Sequence, residues 1–185
     1  MRKGLLVVLS GPSGTGKTTI CHELIKQIPR TAFSISATTR TRRPGEQDGV
    51  DYYFLSRKEF HHKIKRGEFL EWAQVYDHYY GTPKKQVLAN LSQGVNVLLD
   101  IDMQGALNIK KCFPGALLIF ILPPSLEILR QRLINRKKDS VTVINRRMKQ
   151  IEKELKYIPR YDLLVINDDL KRTVKSIREK IINTN

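Results

Sequence analysis

The sequence predicts an α/β protein whose central sheet is mostly parallel and covered by helices on both faces. Apolar runs of four to seven residues, short enough to be buried strands, alternate with segments whose apolar residues recur at helical spacing. A glycine-rich string, Gly11-Pro12-Ser13-Gly14-Thr15-Gly16-Lys17-Thr18, stands between the first such run and the first helical segment. The 185 residues, 41% hydrophobic and 28% charged, suffice for one domain with a full core and small insertions.

Taken in order, Leu5–Leu9 reads as the first buried strand. A helix follows with Cys21, Leu24, Ile25 and Ile28 on one face and stops near Pro29. The spacing G-x-x-x-x-G-K-T between them is the phosphate-binding P-loop pattern. Glycines at 11, 14 and 16 allow a tight turn that brings backbone N–H groups onto phosphate oxygens, where a side chain would collide. Lys17 supplies a mobile charge for the β- and γ-phosphates, and the Thr18 hydroxyl suits Mg²⁺. Strand, loop and helix together aim a helix N-terminus at an anion. The glycine spacing does not fit G-x-G-x-x-G, so a dinucleotide fold is not supported.

Residues 32–36 read as a short strand leading into a basic loop, Thr38 to Glu46, with turn chemistry at Pro44-Gly45. Asp51–Leu55 is a further strand candidate. Ser56 and Glu59 form a capping-box signature for a helix with Phe60 and Ile64 inward, closing at Gly67. Phe69–Tyr76 has strand character, and Tyr79–Pro83 reads as a turn. The segment 35–83 is therefore expected to be an inserted lobe with a small sheet and one helix.

From Pro83 a helix with Val87, Leu88 and Leu91 ends at Gly94, and Val95–Asp100 is an apolar strand ending in an acid. A P-loop protein places a magnesium-side carboxylate there, so Asp100 joins Thr18 as a candidate ligand of Mg²⁺, directly or through water. Asp102, two positions on, is expected on the same strand face. Residues 116–122 form another buried strand stopped by Pro123-Pro124, and Ser125 caps a helix with Leu126, Leu129 and Leu133. Residues 135–157 are basic, then helical, with Ile144, Met148, Ile151 and Leu155 in one stripe and Arg136, Arg146 and Arg147 outside it. Leu163–Ile166 is a last strand, Asn167-Asp168-Asp169 a turn, and Leu170, Val174, Ile177 and Ile181 mark a final helix.

Composition narrows the function classes. No run is long enough to cross a membrane and the N-terminal apolar run is too short for a secretory signal, so a cytoplasmic protein is expected. The two cysteines, Cys21 and Cys112, match no metal spacing and read as reduced structural thiols. The formal charge is +15, and residues 126–160 hold eleven Lys/Arg against four Asp/Glu while 36–83 hold eight against seven. A nucleic-acid binder could show such a basic stretch, and so could a site that gathers several phosphates. No nucleic-acid motif accompanies it, and nucleic acid is not expected as a partner.

Several strings, in order, resemble the guanylate kinase family over nearly the whole chain. They are Ser10–Thr18; Ser36 with Thr38-Thr39-Arg40-Thr41-Arg42-Arg43-Pro44-Gly45-Glu46; Asp51-Tyr52; Glu71-Trp72-Ala73; Tyr79–Thr82; Leu99–Gly105; and Val165–Leu170. The resemblance implies a P-loop NTPase fold, a three-layer α/β/α core over 1–34, 84–125 and 158–185. To it are added a mixed GMP-binding lobe over 35–83 and a helical lid over 126–157. It implies transfer of the ATP γ-phosphoryl to GMP, a step of guanine nucleotide metabolism, with ATP and Mg²⁺ as cofactors and dGMP left open as an acceptor. ATP is assigned to Gly11, Ser13, Gly14, Thr15, Gly16, Lys17, Thr18 and Thr19, with Asn167 on the adenine side. The GMP phosphate is assigned to Arg40, Arg43, Tyr52 and Tyr80, and guanine to Ser36, Glu71, Thr82 and Asp102. Arg132, Arg136 and Arg147 match the lid and phosphate-clamping arginines, although Lys137 stands where the family usually has glycine. Arg42 beside Arg43 leaves a choice of which one meets the phosphate.

The chemistry agrees with this resemblance, because phosphoryl transfer asks for alignment and charge stabilisation rather than a dedicated base. His22, His61, His62 and His78 are read as surface or structural. A non-catalytic interaction domain of the same family, whose mark would be a degraded P-loop, and a kinase for a different nucleotide are the remaining alternatives. The sequence does not give the oligomeric state.

Overall fold

The computed structural model describes residues 3–135 and 141–184, without the Arg147 side chain. Five parallel strands form the central sheet in the order β2-β7-β1-β8-β9. In chain order these are β1 (Leu6–Ser10), β2 (Thr31–Phe33), β7 (Asn96–Asp100), β8 (Leu117–Leu122) and β9 (Leu163–Ile166). The apolar runs of β1, β7 and β8 are buried on both sides, and alternation sends each to two cores, while the edge strands β2 and β9 are only partly covered, with Leu164 and Ile166 exposed. Val7, Leu9, Leu98, Ile119 and Ile121 pack with Cys21 and Leu24 of α1 (Lys17–Gln27) and Val174, Ile177 and Ile181 of α7 (Leu170–Thr184). On the opposite face Leu6, Val8, Val97, Leu99 and Leu118 pack with Val87 of α3 (Lys84–Ser92) and Ile109 of α4 (Met103–Cys112).

The parallel register positions the chemistry. Leu9 lies opposite Asp100, so the carboxyl ends of β1 and β7 finish side by side. Ligands of open α/β sheets bind outside those ends.

A second sheet, β4-β3-β6-β5, is inserted after β2. It consists of β3 (Ala37–Thr38), β4 (Tyr53–Phe54), β5 (Phe69–Val75) and β6 (His78–Pro83), with α2 (Arg57–Lys65) packed through Phe60 on Ala37 and Phe69. Ser56 and Glu59 form the anticipated capping box of α2. Helices α5 (Leu126–Asn135) and α6 (Val141–Leu155) pair through Leu129, Leu133, Ile144 and Ile151.

Several local expectations are corrected. Residues 32–36 are not one strand: β2 belongs to the main sheet, β3 to the small one, and Ser34-Ile35-Ser36 crosses between them. Tyr79–Pro83 is strand β6 rather than a turn. The chain instead reverses at Tyr76-Asp77, where Tyr76 takes φ 54°, and Gly81 is a buried strand residue packed so closely on the Phe69 ring that a Cβ would stand 2.9 Å from it. Asp102 shares no strand face with Asp100, since β7 ends at Asp100 and Asp102 caps α4, accepting the Gly105 N–H at 2.9 Å. Helix α4 itself carried no sequence expectation. Leu88 is 37% exposed, and Cys112 is exposed, so only Cys21 belongs to the core.

Candidate functional site

The P-loop leaves β1 through Gly11, whose φ of 130° and close approach to the Ile121 carbonyl exclude a Cβ. It enters α1 at Gly16, a left-handed N-cap with φ 91° that leaves the first-turn N–H groups uncapped by any side chain. Thr15 turns inward, its hydroxyl donating to the Pro12 carbonyl at 3.0 Å. Asn167, at the end of β9, donates its side-chain N–H to the Thr15 carbonyl at 2.7 Å. Thr15 and Asn167 therefore brace the loop from behind rather than lining the cleft, and the amide nitrogen of Asn167 is already engaged.

Lys17 Nζ folds back onto the carbonyls of Gly11 and Pro12, at 2.8 and 3.0 Å, and lies 3.9 Å from Asp100. The Thr18 hydroxyl donates to Asp100 Oδ2 at 2.6 Å. A hydroxyl and a single carboxylate are hard oxygen donors, a set that fits Mg²⁺ held chiefly by water and substrate phosphates. Among the described residues no cluster of three or more His, Cys, Asp or Glu forms a dedicated metal cage.

One cleft of about 320 Å³ runs from this loop to the small sheet. Gly11, Ser13, Gly14, Gly16, Lys17, Thr18, Thr19 and Asp100 line one end, and Ser36, Arg40, Arg43, Tyr52, Glu71, Tyr80 and, beside Glu71, Asp102 the other. Arg40 is clamped in place. Its guanidinium donates to both Glu46 oxygens at 2.8 and 3.0 Å and lies 5.5 Å from the centre of the Tyr52 ring. Burial pushes Glu46 up, but bonds from Arg40 and from the Arg43 N–H outweigh it and hold the carboxylate below its ordinary range. Tyr52 meets Tyr80 edge-on at 6.1 Å, and burial raises the Tyr52 phenol, keeping it neutral.

Glu71, on β5, is 7% exposed and accepts the Thr82 hydroxyl at 2.6 Å across the β5–β6 pair. Burial, with the Asp102 charge adding and the Thr82 bond opposing, pushes it up to about 7. Thr82 thus works behind Glu71 rather than facing the cleft. Asp102 is likewise raised, by burial above all.

The α5–α6 pair closes the third side through Leu133, Ile151 and Glu154. Arg132 is half-buried on α5 but is not among the cleft-lining residues. Arg136 lies outside the described residues; Arg147 lies on α6, its side chain outside them. Arg146 is exposed, as its place off the stripe implied.

Sequence reasoning missed Glu46 and Glu154. Glu154 is pushed up to about 7 by burial, with Lys17 opposing and Asp102 adding. Its signal was available: three residues after Ile151, it is an acid on the inward face of a basic helix.

A parallel α/β core, a phosphate loop at the sheet's carboxyl edge and an arginine-lined second lobe define a P-loop phosphotransferase. The family model described as guanylate kinase matches residues 3–184. The chain belongs to the guanylate kinase family. It is 53% identical to the guanylate kinase of Caldanaerobacter subterraneus subsp. tengcongensis over 98% of this chain and 88% of that one. It is 48% identical to that of Clostridioides difficile over 100% and 89%. The crystal structure of guanylate kinase from Anaplasma phagocytophilum superposes with a TM-score of 0.83 at 33% identity, covering 98% of this chain and 86% of that one.

Proposed function

We propose that the cleft holds ATP at the P-loop and GMP against the small sheet, so that the chain carries out ATP + GMP → ADP + GDP. The observation that carries this reading is that Lys17 and Glu71 line one cleft. It joins a phosphate-binding cation to a buried carboxylate suited to guanine. Guanine presents two adjacent donors, N1–H and the N2 amino group, which one carboxylate accepts together. Adenine presents a lone pair at N1 and no N2 amino group, and sites built on hydrogen bonds reject such analogues strongly.

In this reading Gly11, Ser13, Gly14, Gly16, Lys17, Thr18 and Thr19 hold the donor phosphates, with Thr15 and Asn167 shaping the loop. Thr18 and Asp100 would hold Mg²⁺, which would supply charge screening for the transferred phosphoryl group. Arg40, Arg43, Tyr52 and Tyr80 take the acceptor phosphate; Ser36, Glu71, Thr82 and Asp102 take the base. Arg132, Arg136 and Arg147 serve as lid arginines that neutralise the group in flight, 126–157 being the lid and 35–83 the GMP lobe. The acceptor phosphate is itself an anionic nucleophile, so no side chain need remove a proton. Use of ATP and GMP, both present in the cytoplasm, supports a cytoplasmic location. No helix among the described residues is long and apolar enough to cross a membrane.

The test is ADP release measured side by side with GMP, dGMP, AMP, UMP and CMP. Guanine nucleotides alone should support turnover. Comparable rates with AMP would overturn the reading.

A further inference from the structure

Gly105 stands in the first turn of α4, where an ordinary helical residue is favoured and glycine weakens the helix by about 1 kcal/mol relative to alanine. Its backbone does not require glycine, since its φ is not positive. Space does. A Cβ built there would lie 2.7 Å from Glu71 Oε2, 3.2 Å from Glu71 Cδ and 3.2 Å from Asp102 Oδ1. A Cβ–oxygen approach of 2.7 Å is well inside van der Waals contact, so one of the two groups has to move.

The carboxylate has little freedom to do so. Its Oε1 is fixed by the Thr82 hydroxyl at 2.6 Å, and Thr82 is itself fully buried in β6. Oε2 lies over the missing Cβ, in a carboxylate that lines the cleft. The Gly105 N–H donates to Asp102 Oδ1, so the same residue positions the second acid of the base pocket.

We infer that Gly105 is a specificity-determining residue: the absent side chain is what lets the Glu71 carboxylate lie in the plane where it meets the guanine N1–H and N2 amino group. The inference rests on the reading of Glu71 as the base reader. Any side chain at 105 swings Oε2 away while Thr82 holds Oε1, so the two acceptors no longer match two adjacent donors.

The experiment compares Gly105→Ala, Glu71→Gln, Glu71→Asp and the Gly105→Ala/Glu71→Asp double variant for the KM of GMP, the ratio of turnover with GMP to turnover with AMP, the KM of ATP and thermal unfolding. Gly105→Ala should raise the GMP KM at least tenfold with the ATP KM within twofold and the melting temperature unchanged or higher. Shortening Glu71 by one methylene relieves the clash. Glu71→Asp should therefore harm GMP use less in the Gly105→Ala background than in the wild type, a coupling that helix propensity alone does not produce. If Glu71→Gln abolishes the guanine preference while Gly105→Ala leaves the GMP KM unchanged, the inference about Gly105 fails and the reading of Glu71 stands. If Glu71→Gln also keeps the preference, the reading of Glu71 fails and this inference with it. If Gly105→Ala loses ATP and GMP use together with a lowered melting temperature, Gly105 is a folding residue and the inference is overturned.

Discussion

Arg146 of α6 places its guanidinium carbon 5.1 Å from the centre of the Tyr76 ring, at the reversal between β5 and β6. This contact joins the helical pair to the small sheet across the mouth of the cleft. An exposed cation–π contact contributes about 0.5–1 kcal/mol, a factor of roughly two to five in a closing equilibrium. Arg146→Ala and Tyr76→Ala should each raise the KM of both nucleotides by about that factor and increase proteolysis or hydrogen exchange over 141–155. The double variant should be no worse than the stronger single one. Fully additive effects would mean that the two residues act separately.

Lys17 donates to the Gly11 and Pro12 carbonyls and lies 3.9 Å from Asp100, a carboxylate that keeps the Thr18 hydroxyl as a partner when Lys17 is removed. Lys17→Ala should keep its melting temperature within a few degrees while kcat falls at least 10²–10³-fold, the scale of about 3–4 kcal/mol for a charge placed at the reacting group. Near-normal turnover in a folded variant would remove the P-loop from the mechanism.

The raised Glu71 has a consequence for stability against pH. Its carboxyl moves from an ordinary 4.5 to about 7 on folding, so the folded state binds the proton more tightly. The associated stability is complete below about pH 4.5 and is lost as pH rises through 7. A shift of this size corresponds to roughly 3 kcal/mol. Glu71→Gln should therefore melt higher than the wild type at pH 8, with the gap closing toward pH 5. A gap that is constant across that range would show that Glu71 is not titrating.

Thr18 and Asp100 share a hydrogen bond of 2.6 Å where Mg²⁺ is proposed to sit. Asp100→Asn should raise the Mg²⁺ concentration for half-maximal activity about tenfold or more, leaving GMP affinity measured by calorimetry within a few-fold. An unchanged Mg²⁺ requirement would exclude Asp100 from the metal site.

Gly81 is packed between aromatic rings, its absent Cβ 2.9 Å from Phe69 and 3.0 Å from Phe60. Gly81→Ala should lower stability by about 1–3 kcal/mol, as overpacked cores do, read by thermal or denaturant unfolding. No loss of stability would mean that the rings move aside freely.

Most of the main sheet was legible because β1, β7, β8 and β9 carry apolar runs and α1, α3 and α7 periodic stripes, signals that need no tertiary information, whereas β2 was merged with β3 and α4 was not anticipated. The small sheet was harder for a physical reason. Ala37–Thr38 and Tyr53–Phe54 are only two residues each and are held by neighbours distant in sequence. The pair Gly81 and Pro83 reads locally as turn chemistry, and only the rings of Phe60 and Phe69 reveal Gly81 as a strand residue. In the same way, Thr15, Thr82 and Asn167 belong to the expected set by type, yet they face protein partners instead of the cleft. Spacing carries residue identity; which way a side chain turns is decided by contacts such as Thr82 with Glu71.

The support of the phosphate loop by distant chain has a bearing on how the protein comes to exist. The loop is complete in sequence by residue 18, but Gly11 is shaped against the Ile121 carbonyl and Thr15 is tied to a side chain 152 positions later. At roughly 5–20 residues per second, a growing chain carries the loop's residues for about 8–30 s before Asn167 is made. A nascent chain therefore lacks these supports of the loop until Ile121 and Asn167 have been made. Nucleotide then acts as a late seal on a finished fold rather than as a template for an early one.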